Sequence, residues 1–276
     1  VSVTPGGTAF VLGGGGVLGA TEVGMLEALL EDGIAPDIVL GTSIGAINGA
    51  VLAARPDADG VARLADLWRS GAGSVFRASP VARARAVART RTALHSHDAL
   101  RDLLTEHLGD ARIEDLEVPF QCCAASIERA AEHWFTAGPV VEAVLASCAV
   151  PGLFPAVEIE GETFLDGGIV NSIPVGRAVE LGARTVYVLQ VGRIERPLTA
   201  PTRPWEVALV AFEIARRHRF SRDMAAVPTD VSVHLLPSGE EAAPSVAFRY
   251  RDRKGVTRRI AQARAATADY LQCNRS

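Results

Sequence analysis

No stretch of the chain reaches the roughly 18 apolar residues that a membrane-crossing helix requires. The opening residues, VSVTPGGTAFVLGGGG, have neither the basic start nor the small-residue cleavage pattern of a secretory signal. A cytoplasmic protein is the expectation, although the chain begins at Val1 and a removed targeting segment would leave no trace in it. Cysteine is scarce: Cys122, Cys123, Cys148 and Cys273 follow no metal-binding spacing, and two of them are adjacent in the apolar run PFQCCAAS. That argues against a zinc site or a disulfide framework and leaves buried free thiols as the reading. Lysine is nearly missing, Lys254 standing alone among 28 basic residues, a bias that reflects GC-rich coding more than function. An excess of positive charge is missing too: 32 acidic residues give a net charge of -4, so the field that nucleic acid requires is not available.

What is present is an ordinary folded composition, 48% hydrophobic and 22% charged, in 276 residues. That length suits one large α/β unit, so residues 1–276 are read as a single domain without internal repeat or interdomain linker. Short apolar runs alternate with longer amphipathic ones. Residues 8–12 (TAFVL) read as a strand entering Gly13 to Gly16. The helix that follows has Val23, Leu26, Leu29 and Leu30 at helical spacing and stops at Gly33. A second unit repeats the order, with strand 37–40 (DIVL) entering GTSIG and the small-residue helix AINGAVLAA. Further helices are expected over 57–71, over 98–108 with Ser96 or Asp98 as N-cap, after Pro139, from Pro174, over 205–224 and from 257. Strands are expected near 119–126, 132–135, 156–159, 163–165, 184–191 and 231–237.

Gly41-Thr42-Ser43-Ile44-Gly45 matches G-x-S-x-G between a strand and a helix, the context that motif requires. A serine at such a sharp turn projects its hydroxyl off the sheet, flanked by glycines that tolerate the turn and by a helix N-terminus that favours negative charge. Taken alone, Ser43 reads equally well as a helix N-cap. The run Gly13 to Gly19 supplies backbone N–H donors for an oxyanion, and it also fits a dinucleotide or phosphate loop as G-x-G-x-x-G at Gly14, Gly16 and Gly19. The second strand ends in Thr42 and Ser43 rather than in the acid that a ribose contact needs. A serine nucleophile needs a base. His95, His97, His107 and His218 read as solvated, and His133 and His234 as strand positions. Asp166, before Gly167 and Gly168, ends a predicted strand and qualifies as a base if burial tunes its acidity; the same tripeptide also reads as a plain hairpin turn.

Together the blocks GGGGVLG at 13–19, GTSIG at 41–45 and ASCAVPGLFPAVEIEGETFLDGGIVNSIPVGRAVELGA at 146–183 resemble the patatin-like phospholipases, in particular bacterial members, over roughly residues 8–191. The resemblance implies a three-layer α/β/α sandwich with a mostly parallel central sheet. It also implies hydrolysis of lipid acyl esters without metal or other cofactor, with Ser43 as nucleophile and Asp166 as general base and then acid. Gly14, Gly15 and Gly16 would form the oxyanion hole, supported by Gly19, Gly41, Gly45, Gly167 and Gly168. One departure bears on substrate. Leu18 stands where the family often has Arg or Lys, which weighs against specific phospholipid head-group recognition and toward a broader lipase or esterase. Other readings of the same residues are an acyltransferase or thioesterase using that dyad, and a non-catalytic nucleotide- or lipid-binding module.

The implied partner is a lipid or acyl-ester substrate, with peripheral membrane contact through the Arg-rich stretch 75–94 (Arg83, Arg85 and Arg89 among its charges), inside a lid near 72–97. Pro151, Leu153, Phe154 and Pro155 are candidates for an acyl-pocket wall and equally for ordinary core. Trp68, Trp134 and Trp205 read as core anchors, and Arg216, Arg217, Arg219 and Arg222 as a solvated helix face.

Overall fold

A strand whose side chains are apolar on both faces belongs at the centre of a parallel sheet, and β1 (Thr8–Leu12) is such a strand. In this computed structural model, which describes residues 6–70, 86–191, 197–239 and 253–274, Phe10 and Leu12 enter one core while Ala9 and Val11 enter the other. β2 (Ile38–Thr42) lies parallel to β1 on one side, with Leu12 opposite Gly41, and β7 (Thr185–Leu189) lies parallel on the other. β8 (Ser232–Leu235) continues the parallel order beyond β7, and β3 (Phe120–Ser126) continues it beyond β2. β4 (Ala131–Phe135), β5 (Val157–Ile159) and β6 (Glu162–Asp166) add antiparallel pairs on the β3 side, giving the order β5-β6-β3-β2-β1-β7-β8 with β4 beside β3.

Helices cover both faces. On the Phe10 side lie α1 (Ala20–Glu31), α2 (Ile44–Ala54), α3 (Ala58–Ser70), α4 (Asp98–Leu108), α5 (Val140–Ser147) and the C-terminal helix Arg253–Cys273. On the Val11 side lie α6 (Gly168–Asn171), α7 (Val175–Glu180) and α8 (Pro204–Ala225), whose Ile173 junction, Val175, Ala178 and Phe220 close the second core. The C-terminal helix, α9, packs along α1. This is the three-layer α/β/α arrangement that the resemblance implies.

The topology around β3 positions the site. β2 and β4 pair with the same residues of β3, Cys122 and Cys123, so they occupy opposite edges; β4 and β6 share Ala124 to Ser126, so they too are on opposite edges. β2 and β6 therefore lie along one edge of β3, running toward each other. β2 ends with Thr42 opposite Cys123 and β6 ends with Asp166 opposite Ala124, one residue further along.

Several local expectations change. α4 is preceded by His97, with no side-chain cap from Ser96 or Asp98. Asp166-Gly167-Gly168 is not a hairpin turn but the entry to α6, because Asp166 Oδ1 accepts the Gly168 N–H at 2.7 Å and starts the helical turn. His95 is buried, and His97 is half-buried, stacked on Phe154 and bonded to the Pro155 carbonyl. Phe154 is core rather than open pocket wall. Arg216 is not solvated: it is buried, paired with Glu213 at 3.2 Å and donating to the Val191 carbonyl at 3.2 Å. Three thiols are buried, whereas Cys273 is exposed at the end of α9. Trp68 is a core anchor, and Trp134 is partly exposed beneath the Arg177 guanidinium. The side chain of Trp205, together with Arg83, Arg85 and all of 71–85, lies outside the described residues. Among the described residues no helix is long and apolar enough to cross a membrane.

Gly24 on α1 faces α9 so closely that a Cβ there would stand 2.1 Å from the Ile260 carbonyl oxygen and 2.8 Å from the Arg264 nitrogen. Neither backbone atom can step aside without moving α9. Gly24→Ala should lower stability by about 1–3 kcal/mol in urea unfolding, the range for overpacking a filled core. An unchanged midpoint would show that α9 is not held against α1.

Candidate active site

The meeting of β2 and β6 brings Ser43 and Asp166 together across 123 residues of sequence. Ser43 Oγ donates to Asp166 Oδ2 at 2.6 Å. Ser43 occupies the turn between β2 and α2 with φ 56 and ψ -123, a positive-φ conformation costing a non-glycine residue about 1–3 kcal/mol. The surroundings hold it there. Its N–H donates to Ser147 Oγ at 2.9 Å, and Ser147 Oγ donates in turn to the Cys123 carbonyl at 2.6 Å. Its carbonyl accepts the Ala46 N–H at 2.9 Å and the Cys148 thiol at 3.1 Å. Sequence reasoning did not give Ser147 or Cys148 a role at this turn. Their only signal was membership of the block ASCAVPG at the end of α5.

The motif glycines act through close approach. A Cβ on Gly45 would stand 2.2 Å from the Leu12 carbonyl oxygen, and one on Gly41 2.5 Å from the Gly45 carbonyl oxygen, so the first turn of α2 rests directly on the ends of β1 and β2. Gly167 likewise lies against the Cys123 carbonyl, and Gly168 against Phe212 of α8.

The glycine loop lies beside the serine. A Cβ on Gly14 would stand 3.4 Å from Ser43 Cβ. Gly13 donates its N–H to the Leu189 carbonyl at 2.9 Å and Gly14 to the Ser172 carbonyl at 3.0 Å, while Gly15 and Gly16 have no acceptor among the described residues. Gly15 cannot carry a side chain, because Val191 Cγ2 already fills the space 1.6 Å from a would-be Cβ. Gly19 closes the turn Gly16–Gly19, pressed against Trp68 and Ile44, and the neighbouring Leu18 is buried.

Burial pushes the Asp166 carboxyl from 3.8 up to about 6; the hydrogen bonds from Ser43 and Gly168 pull the other way and are outweighed. Its partners are Ser43 and Gly168 rather than a histidine. His133 of β4 packs against Phe135 and against Phe164 of β6, and His234 of β8 stacks on Tyr187 of β7. The arrangement therefore presents a hydroxyl already hydrogen-bonded to a desolvated carboxylate, with two N–H groups on the neighbouring loop.

An acid whose folded-state value is raised binds its proton more tightly in the folded chain. Its contribution to stability is present below the unfolded value and is lost as pH rises through about 6. A displacement of that size is worth roughly 3 kcal/mol. Asp166→Asn should therefore flatten the fall in unfolding free energy between about pH 4 and 7, leaving the variant the more stable protein at pH 8 by up to about 3 kcal/mol. Parallel pH profiles for the two proteins in urea would contradict the burial argument.

Comparison with known proteins places the chain in a family. A family model, Patatin-like phospholipase, matches residues 10–179, from β1 into α7. A patatin-like phospholipase domain-containing protein of Caenorhabditis elegans is 36% identical over 195 residues, which are 70% of this chain and 14% of that protein. Lysophospholipase nte1 of Aspergillus terreus is 35% identical over 185 residues, 67% of this chain and 12% of that protein. This chain thus spans only about an eighth of the length of such relatives. Among solved structures, VipD from Legionella pneumophila superposes with a TM-score of 0.50 at 14% identity, covering 98% of this chain and 68% of that one, a likeness of fold. With the matched family region covering more than half its length, the chain belongs to the patatin-like phospholipase family.

Proposed function

We propose that this chain hydrolyses lipid acyl esters through a Ser43–Asp166 dyad. The observation that carries the reading is the 2.6 Å hydrogen bond from Ser43 Oγ to Asp166 Oδ2 at a strained strand-to-helix turn, beside a glycine loop with unengaged N–H groups. In the first half-reaction Asp166 accepts the Ser43 proton as Oγ attacks the ester carbonyl carbon. The N–H groups of Gly15 and Gly16 stabilise the oxyanion. Gly14 supports them by holding the loop on Ser172, and would join as a third donor only by leaving that carbonyl. Collapse of the tetrahedral intermediate breaks the ester C–O bond, Asp166 returns the proton to the departing alcohol, and Ser43 is left acylated. Water then attacks the acyl carbon with Asp166 again as base, the bond to Ser43 Oγ breaks, and Asp166 returns the proton to Oγ as the fatty acid leaves.

An aspartate with an ordinary acidity would hold its proton poorly during the first step. Raised to about 6, Asp166 is ionised at neutral pH yet basic enough to share the serine proton. Leu18 adds no charge to the loop, which favours a broad ester specificity over a particular phosphate head group. Of the stretch 72–97, expected as a cap, only residues 86–97 are described. Its described end is tied to the loop beside the dyad by Leu94 N–H to the Gly152 carbonyl at 3.1 Å and His95 N–H to the Leu153 carbonyl at 2.8 Å. Val87 and Leu94 are exposed there beside exposed Arg89 and Arg91, a composition suited to peripheral contact with a lipid surface.

Fatty-acid release from phospholipid vesicles, lysophospholipid micelles and a soluble short-chain ester, measured side by side, tests the reading. Wild type should turn over the ester and at least one lipid, and Ser43→Ala or Asp166→Asn should each lose on the order of a thousandfold in kcat. Equal release by wild type and Ser43→Ala, or none from any substrate, would overturn it.

A further inference from the structure

A single buried amide, that of Asn48, touches three elements around the proposed dyad. Asn48 lies on α2, five residues beyond Ser43, and is fully buried. Its Nδ2 donates to the Gly19 carbonyl at 2.9 Å and to Glu22 Oε2 at 2.7 Å, and its Oδ1 accepts the Trp68 indole N–H at 2.9 Å. Gly19 ends the glycine turn, Glu22 lies in the first turn of α1, and Trp68 belongs to α3. All of these residues are buried, and a Cβ on Gly19 would stand 2.6 Å from Trp68 Cζ2 and 2.7 Å from Ile44 Cγ1.

The near end of the glycine loop is fixed separately, by Gly13 on the Leu189 carbonyl and Gly14 on the Ser172 carbonyl. Its far end has Asn48, which is covalently part of the nucleophile's own helix. Apolar residues of the same shape would fill this space at lower desolvation cost, but they have no directionality. We infer that Asn48 is a positioning residue: by gripping Gly19 and Glu22 it sets the distance between Ser43 and the N–H groups of Gly15 and Gly16.

Glu22 meets Asn48 through a carboxyl that is shut off from solvent. Burial pushes its carboxyl well above the usual range, against the pull of Asn48, the Gly13 backbone and the charge of Arg216. Its second oxygen, Oε1, is buried without a hydrogen-bond partner among the described residues. Glutamine is therefore its conservative replacement, and leucine the replacement that removes the acceptor.

The inference rests on the hydrolase reading, and the test separates the two. Asn48→Leu, Glu22→Leu, Glu22→Gln and Trp68→Phe are compared with wild type for kcat and KM on a soluble short-chain ester, and for amide hydrogen exchange. Asn48→Leu and Glu22→Leu should lower kcat at least tenfold with KM within about twofold, the mark of lost transition-state stabilisation. Glu22→Gln should restore most of the loss, and Trp68→Phe should lie between. Exchange should quicken at Leu18, whose N–H bonds the Gly15 carbonyl at 3.4 Å, and stay slow in the middle of α2. That readout stands without catalysis, so a wild type inert toward esters would sink the hydrolase reading and leave the positioning claim to be judged by exchange alone. Should Asn48→Leu not fold, the Glu22 pair and Trp68→Phe decide. The inference is overturned if folded variants keep wild-type kcat and loop exchange, or if Glu22→Gln and Glu22→Leu lose activity equally.

Discussion

Everything at this site depends on two strands ending against each other on one edge of β3. β2 arrives from below and β6 from above, so the residue after Thr42 and the last residue of β6 are neighbours although 123 positions separate them. Ser43 must then turn sharply to begin α2, and Asp166 must turn to begin α6. The strain at Ser43 persists because Ser147, the Cys123 carbonyl and the first turn of α2 over-determine its backbone. A parallel sheet with one antiparallel insertion at β3 is what permits two strand ends to face each other in this way.

The electrostatics follow from the same topology. A carboxylate at the end of an interior strand has little access to water, and no cation shares its hydrogen bonds, so desolvation dominates and Asp166 is raised rather than lowered. That is the opposite of the usual ion-paired aspartate, and it suits one side chain to the proposed roles of base and then acid. Stability and chemistry pull in different directions here. The buried carboxylate burdens the fold at the pH where the proposed reaction needs it ionised. Arg216 and Glu22 are buried deeper in the molecule: the guanidinium is covered by Glu213 and a carbonyl, and burial pushes the pKa of the Glu22 carboxyl well above its usual range.

What could be read from the sequence was what is local. β1 and the helices α2 and α4 lie within a few residues of their expected bounds, because apolar runs, glycine turns and helical spacing act over short distances. Ser43, Asp166 and the glycine loop were legible for the same reason: each is marked by its own flanking glycines. Their pairing came only with the family resemblance, and the engagement of Gly14 by Ser172 and the grip of Ser147 on Ser43 were not legible, since those bonds join residues far apart in the chain. Arg216 was misread because a run of arginines in a helix ordinarily faces water; Glu213 one turn earlier pairs with it, but only the tertiary position of Val191 completes its place inside. His97 was misread likewise, its ring being covered by Phe154, which belongs to a loop more than fifty residues later.

The central claim is that Ser43 reacts because Asp166 takes its proton. The most direct measurement is the rate at which a fluorophosphonate labels Ser43 as a function of pH, with the adduct located by mass spectrometry. The account predicts one modification, on Ser43, whose rate rises with an inflection near 6 and loses that inflection together with most of its magnitude in Asp166→Asn. Labelling of Ser43 that is equally fast and equally pH-dependent in Asp166→Asn would contradict it.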